Sequence, residues 1–127
     1  MYFIRVQDEF SAAHALTFPD GRRERLHGHN WRVEAVIACS HLDPTGLGVD
    51  FELVQQLLHQ LLDSELDHRN LNNIAALNQP NPTTELVARW IADRLSAALA
   101  TAAPSACLHS LTLWESPTCA VTYELPR

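Results

Sequence analysis

The run from His27 to Cys39 constrains this chain more than any other stretch. Trp31, Val33, Ala35 and Ile37 alternate with Arg32 and Glu34, a period of two that fits a strand with one buried face. On such a strand His27, His29 and Trp31 point the same way. Residues 2–14 read as a second strand, with Phe10, Ala12 and His14 on one face. Pairing the two strands brings His14 beside His27 and His29. Three neutral imidazoles suit zinc. Structural zinc sites are usually closed by four protein ligands rich in thiolate, whereas a three-histidine set leaves one position for water or substrate. The plain alternative is a His-x-His pair serving as polar strand surface. The open position points to catalysis only if acid–base groups lie nearby.

The remaining elements follow in order. Thr17 to Arg23 holds Pro19, Asp20 and Gly21, which is loop chemistry, and His41 to Gly46 is a turn. Asp50 is placed to cap a helix carrying Val54, Leu57, Leu58, Leu61 and Leu62 at helical spacing. Residues 67–82 read as irregular. Thr83 or Thr84 caps a second helix, with Val87, Trp90, Ile91, Leu95 and Ala98 as its stripe, ended by Pro104. Residues 108–115 and 119–125 read as a hairpin turning at Ser116-Pro117-Thr118. The order is ββααββ, an α+β fold in which two helices cover one face of a four-stranded antiparallel sheet. Its edges invite pairing with other copies.

The 127 residues are expected to form one domain spanning 1–127. No run approaches about 20 apolar residues, so no membrane span is expected. Met1 to Arg5 does not read as a signal peptide. Cys39, Cys107 and Cys119 lack a C-x-x-C spacing and read as reduced thiols of a cytoplasmic protein. A net charge of −6 without a broad basic face argues against nucleic acid as a partner. The local exception is Arg22, Arg23 and Arg25, either a solvated loop or a fork-like contact to phosphate.

Two further places carry candidate chemistry. In Leu66-Asp67-His68 a carboxylate adjoins an imidazole and can orient it for proton transfer. Taken alone, the dipeptide is better explained by a polar helix end, where His68 meets the last carbonyls. Glu115 ends the strand Leu111-Thr112-Leu113-Trp114. It is either solvated or a bidentate acceptor for a ring with adjacent N–H donors, such as a pterin or guanine.

Together these pieces resemble the 6-pyruvoyl-tetrahydropterin and 6-carboxy-tetrahydropterin synthase family. The resemblance runs through Phe10-Ser11-Ala12-Ala13-His14, Leu26-His27-Gly28-His29, Asp50-Phe51, Leu66-Asp67-His68, Asn81-Pro82-Thr83-Thr84-Glu85 and Trp114-Glu115-Ser116-Pro117-Thr118. Each motif is modest, but their order and spacing are specific. The resemblance implies the ββααββ tunnelling fold, with trimers closing into a β-barrel and stacking into a homohexamer with active sites at subunit interfaces. It implies Zn2+ on His14, His27 and His29, a catalytic pair in Asp67 and His68, and a pterin anchored by Glu115. Thr83 and Thr84 would line the pterin pocket, and Arg23 is the candidate for the substrate's phosphates. The partner implied is a small pterin, with neither nucleic acid nor membrane.

One departure shapes the functional expectation. Where the tetrahydrobiopterin and queuosine synthases carry a cysteine, four residues before the first histidine of His-Gly-His, this chain has Arg23. The next residue is Glu24, giving Glu-x-x-His-Gly-His. This resembles the subgroup that supplies folate synthesis by converting 7,8-dihydroneopterin triphosphate to 6-hydroxymethyl-7,8-dihydropterin. Glu24 would then be the base, with an ordinary pKa of about 4 against about 8.5 for a thiol. The alternatives are 6-carboxy-tetrahydropterin synthesis for queuosine, 6-pyruvoyl-tetrahydropterin synthesis, and a non-catalytic zinc protein that binds a pterin.

Overall fold

The computed structural model describes residues 1–126. Strands β1 (Tyr2–His14) and β2 (His27–Cys39) pair antiparallel in unbroken register, from Tyr2 opposite Cys39 to His14 opposite His27. The alternation selects the residues that turn inward: Val6, Phe10, Ala12 and His14 on β1, and Trp31, Val33, Ala35 and Ile37 on β2 are all buried. Phe10 lies opposite Trp31, and their rings stack with centroids 5.9 Å apart. Gly48 closes the far end of this pair. A Cβ there would stand 3.0 Å from the Cβ of Cys39 and 3.2 Å from Cδ1 of Ile4, tight enough that those neighbours would have to shift by a few tenths of an ångström.

Helix α1 (Phe51–Glu65) begins at Asp50, whose carboxylate accepts from the Glu52 amide at 2.9 Å. It buries Val54, Leu58 and Leu62, with Leu57 and Leu61 at the flank. Just beyond it, β3 (Arg69–Asn70) joins the sheet parallel to β1 at Ala12 and Ala13. Helix α2 (Thr84–Ala102) is capped by Thr83, which accepts from the Leu86 amide at 3.2 Å. Its buried stripe is Val87, Ala88, Ile91, Ala92, Leu95 and Leu99. Trp90 and Ala98, expected in that stripe, are only half-buried at its border. Leu99 follows Leu95 by four residues and takes the inward place; Ala98 lies about 100° round the helix from it. The hairpin of β4 (Cys107–Ser116) and β5 (Cys119–Glu124) completes the sheet through β4 pairing with β2.

The sheet therefore has five strands in the order β3-β1-β2-β4-β5, not four. A two-residue strand carries no periodicity, so β3 is invisible to pattern reading. It exists because the Asp67-His68 turn is tied to β1. A short 3₁₀ turn over Leu71–Asn73 also replaces part of the irregular stretch expected at 67–82. Both helices and the inward face of the sheet share one hydrophobic core. No helix among the described residues is long and apolar enough to cross a membrane.

Candidate metal centre and active site

The C-terminal end of β1, the N-terminal end of β2 and the end of β4 meet at one end of the sheet. His14 stands opposite His27 in register and diagonal to His29, and the three rings lie 4.7 to 5.3 Å apart between centroids. Glu115, at the end of β4, joins them: one ligand atom from each of the four residues falls within 4.8 Å of every other. His14 is 1% exposed and donates from Nδ1 to the Pro82 carbonyl at 2.9 Å. His27 likewise donates from Nδ1 to the Arg25 carbonyl at 2.8 Å. A carbonyl only accepts, so in both rings Nε2 is left bare, the tautomer a metal requires.

The fit to a zinc ion rests on orphaned atoms. Nε2 of His14 and Nε2 of His29 are buried without a hydrogen bond. Buried polar nitrogens in a native protein normally have a partner, and a cation facing both lone pairs supplies one. Burial lowers the pKa of His29, with the Glu115 and Glu24 carboxylates opposing and His14 and His27 assisting. A neutral imidazole is the ligand form.

Asp67 and His68 form a second constellation at the β3 edge. The Ser11 amide donates to Asp67 Oδ1 at 2.9 Å, and the His68 amide donates to the Ser11 carbonyl at 2.6 Å. Both backbone polar groups of Ser11 are thus used to hold the pair. Oδ2 of Asp67 accepts from His68 Nδ1 at 2.8 Å. His68 sits at φ +59°, the left-handed region that side chains other than glycine rarely adopt. The conformation turns its ring outward, with the side chain 82% exposed. The Ser11 amide, then His68, holds the Asp67 carboxyl below the usual carboxylate range. His68 and His29 line the same open cleft of about 450 Å³, together with Ser11, Asn30 and Arg69. Among the described residues, the His68 ring pairs with Asp67 and makes no hydrogen bond to the His/Glu cluster.

Glu24 lies in the loop between β1 and β2. Its amide donates to the Leu16 carbonyl at 2.9 Å, and its Oε1 accepts from the Leu16 amide at 3.0 Å. The side chain is half-buried, and its second oxygen records no hydrogen bond among the described residues. None of the three cysteines lies in this loop. Cys39 and Cys107 sit at the opposite end of the sheet, with Cys39 facing Tyr2, and Cys119 is exposed beyond the β4–β5 turn.

A sequence model of the family described as 6-pyruvoyl tetrahydropterin synthase matches residues 3–126. The chain belongs to that family. Among pterin-synthase relatives, a 6-carboxy-5,6,7,8-tetrahydropterin synthase of Synechocystis is 35% identical over all of this chain and 96% of its own length. A dihydroneopterin monophosphate aldolase of Pyrococcus furiosus is 36% identical over 88% of each protein. The solved 6-pyruvoyl tetrahydropterin synthase of Caenorhabditis elegans superposes with a TM-score of 0.82 at 25% identity, covering 98% of this chain and 96% of its own. The family fold is thus present, and its named relatives differ in the reaction for which they are named.

Within this pterin-synthase fold, several expected residues are engaged inside the chain. Thr83 caps α2, and the Thr84 hydroxyl donates to Glu115 Oε2 at 2.6 Å. Arg22 pairs with Asp20 at 2.8 Å and covers the Phe18 ring, while Arg23 is exposed at a bridge to Thr17. Sequence reading missed the supports. Asn72 accepts from the Ala15 amide and donates to the Ala15 carbonyl, both at 2.8 Å. Asn81 does the same for Thr17, also at 2.8 Å both ways. These two amides imitate a strand neighbour and fasten the 67–82 segment to Ala15 and Thr17 in the loop after β1. Ser11 and the Pro82 carbonyl complete the frame. The only sequence signal was the density of asparagine between Asn70 and Asn81.

Proposed function

We propose that this chain is a zinc-dependent lyase that cleaves the side chain of phosphorylated 7,8-dihydroneopterin, the triphosphate, to 6-hydroxymethyl-7,8-dihydropterin. The observation that carries this reading is Glu24, a half-buried carboxylate in the loop between His14 and His27, with one oxygen pinned by the Leu16 amide and none of the cysteines in that loop. The aldolase of Pyrococcus furiosus supports the same class of bond cleavage. A Plasmodium vivax 6-pyruvoyltetrahydropterin synthase of this fold, 17% identical, has variants made at a glutamate described as a catalytic residue.

His14, His27 and His29 would hold the zinc, which when bound supplies Lewis-acid stabilisation to a substrate oxygen. Glu24 takes the proton of the 2′-hydroxyl. The C1′–C2′ bond then breaks, its electron pair passes to C1′, which stays on the pterin, and glycolaldehyde triphosphate departs with C2′ as its aldehyde carbon. His68, oriented by Asp67 through Nδ1, returns a proton at C1′ from Nε2. Arg23 is assigned to the phosphates and Glu115 to the pterin ring. The assembled enzyme is proposed as a homohexamer, joined through β5 and the outer edge of β1, which β3 covers only at Ala12 and Ala13.

The second reading is 6-carboxy-tetrahydropterin synthesis, favoured by the Synechocystis relative's match along the whole chain. One incubation separates the two. Zinc-loaded protein is given 7,8-dihydroneopterin triphosphate, and separately the monophosphate, with products read by chromatography and mass. 6-Hydroxymethyl-dihydropterin supports the lyase, and 6-carboxy-tetrahydropterin refutes it in favour of the second reading. Glu24→Gln should retain zinc and lose turnover; full activity would remove Glu24 from the mechanism.

A further inference from the structure

Among the described residues, Glu115 is the one carboxylate inside the histidine cluster, and its two oxygens have different environments. Oε2 accepts from the Thr84 hydroxyl at 2.6 Å, and Thr84 is buried in the first turn of α2. Oε1 faces the imidazoles, 3.2 Å from Nε2 of His29 and 3.9 Å from Nε2 of His14. Neither nitrogen makes a hydrogen bond. At 3.2 Å a hydrogen bond would be expected if the N–H pointed at the oxygen. A close approach without one fits a nitrogen and an oxygen that face a common cation. Four donors at about 2.1 Å from one zinc stand about 3.4 Å apart, and the two distances to Glu115 bracket that value.

We propose that Glu115 is the fourth donor to the metal held by His14, His27 and His29, and that Thr84 is the positioning residue that presents its Oε1. The site at rest is then closed by four protein ligands. A substrate opens it by displacing Glu115. One carboxylate so acts as metal donor before the pterin arrives and as ring acceptor afterwards. Thr84 biases this exchange, because its hydroxyl fixes the orientation of the carboxylate. The buried first turn of α2 thereby couples to the metal site through Glu115. The proposal rests on the zinc reading above but not on the lyase reading, since it concerns the protein without substrate.

The test is a metal titration without pterin. Zinc affinity is measured by competition with a chromophoric chelator for wild type, Glu115→Gln, Thr84→Val and Thr84→Ser. Each protein is also loaded with Co2+ and its visible absorption recorded, with circular dichroism of the metal-free forms as the folding control. Glu115→Gln should weaken zinc at least about 10-fold and alter the cobalt bands. Thr84→Val should weaken it by about 10-fold, within the range known for groups that orient ligands, and Thr84→Ser should restore it. Adding unsubstituted pterin to cobalt-loaded wild type should shift the bands toward those of Glu115→Gln. Zinc affinity and cobalt bands unchanged in folded Glu115→Gln would overturn the proposal while leaving the three-histidine site standing. A wild-type chain that binds no zinc would overturn both. Absence of lyase turnover would touch neither.

Discussion

Replacing Asp67 by asparagine keeps the shape of the side chain and reverses one polarity. In the native pair a carboxylate oxygen 2.8 Å from His68 Nδ1 can only accept, so Nδ1 carries the proton and Nε2 is free to exchange one. In Asp67→Asn, Oδ1 can still accept from the Ser11 amide, which lies at 2.9 Å in the native chain, so the turn keeps its anchor. The amide nitrogen then faces Nδ1 and donates to it. That holds the single proton on Nε2 and bars a second one from Nδ1, so the ring cannot become the imidazolium that gives a proton from Nε2. General acid–base catalysis is worth roughly 10²–10⁴-fold, and a wrong histidine tautomer in a serine protease triad costs about 10⁴. The expected fall in kcat for dihydroneopterin phosphate cleavage is therefore about 10²–10⁴-fold, with zinc content and thermal unfolding close to wild type. The pH dependence follows from the same geometry. The folded pKa of Asp67 lies below the ordinary value of 3.8, so the pair's contribution is intact above that value and is lost as pH falls through the folded pKa. The acid limb of wild-type activity should thus not belong to Asp67. A folded, zinc-loaded Asp67→Asn protein within about threefold of wild-type kcat would show that the pair does not transfer the proton, since the effect would fall far short of 10².

Three other outcomes follow from particular contacts. Asn72→Ala removes both hydrogen bonds to the Ala15 backbone and should cost about 2–4 kcal/mol in urea denaturation; an unchanged midpoint would mean that the bracket is dispensable. Gly48→Ala places a methyl against Cys39 and Ile4 and should destabilise by about 1–3 kcal/mol, read from the same curves. Chelation with EDTA should lower the unfolding temperature of wild type, because a ligand bound only to the folded chain stabilises it. His27→Ala should erase that difference, and an equal EDTA effect in both proteins would place the metal elsewhere.

Much of this protein was legible without its structure because the informative patterns are local. Alternation along β2, the leucine spacing of α1 and the caps at Asp50 and Thr83 each span a few residues, and backbone geometry converts them directly into elements. The facing of His14, His27 and His29 followed from two strand periods and one antiparallel register. What tertiary structure alone decided involves long separations with no period to betray them. β3 joins β1 because Ser11 holds Asp67, 56 residues away. The tautomer of His14 depends on the carbonyl of Pro82, 68 residues on. The orientation of Glu115 depends on a threonine hydroxyl 31 residues earlier. Such contacts are single directional hydrogen bonds, satisfied only once the packed core has brought their partners within reach. Composition and periodicity report which surfaces are buried, not which donor meets which acceptor.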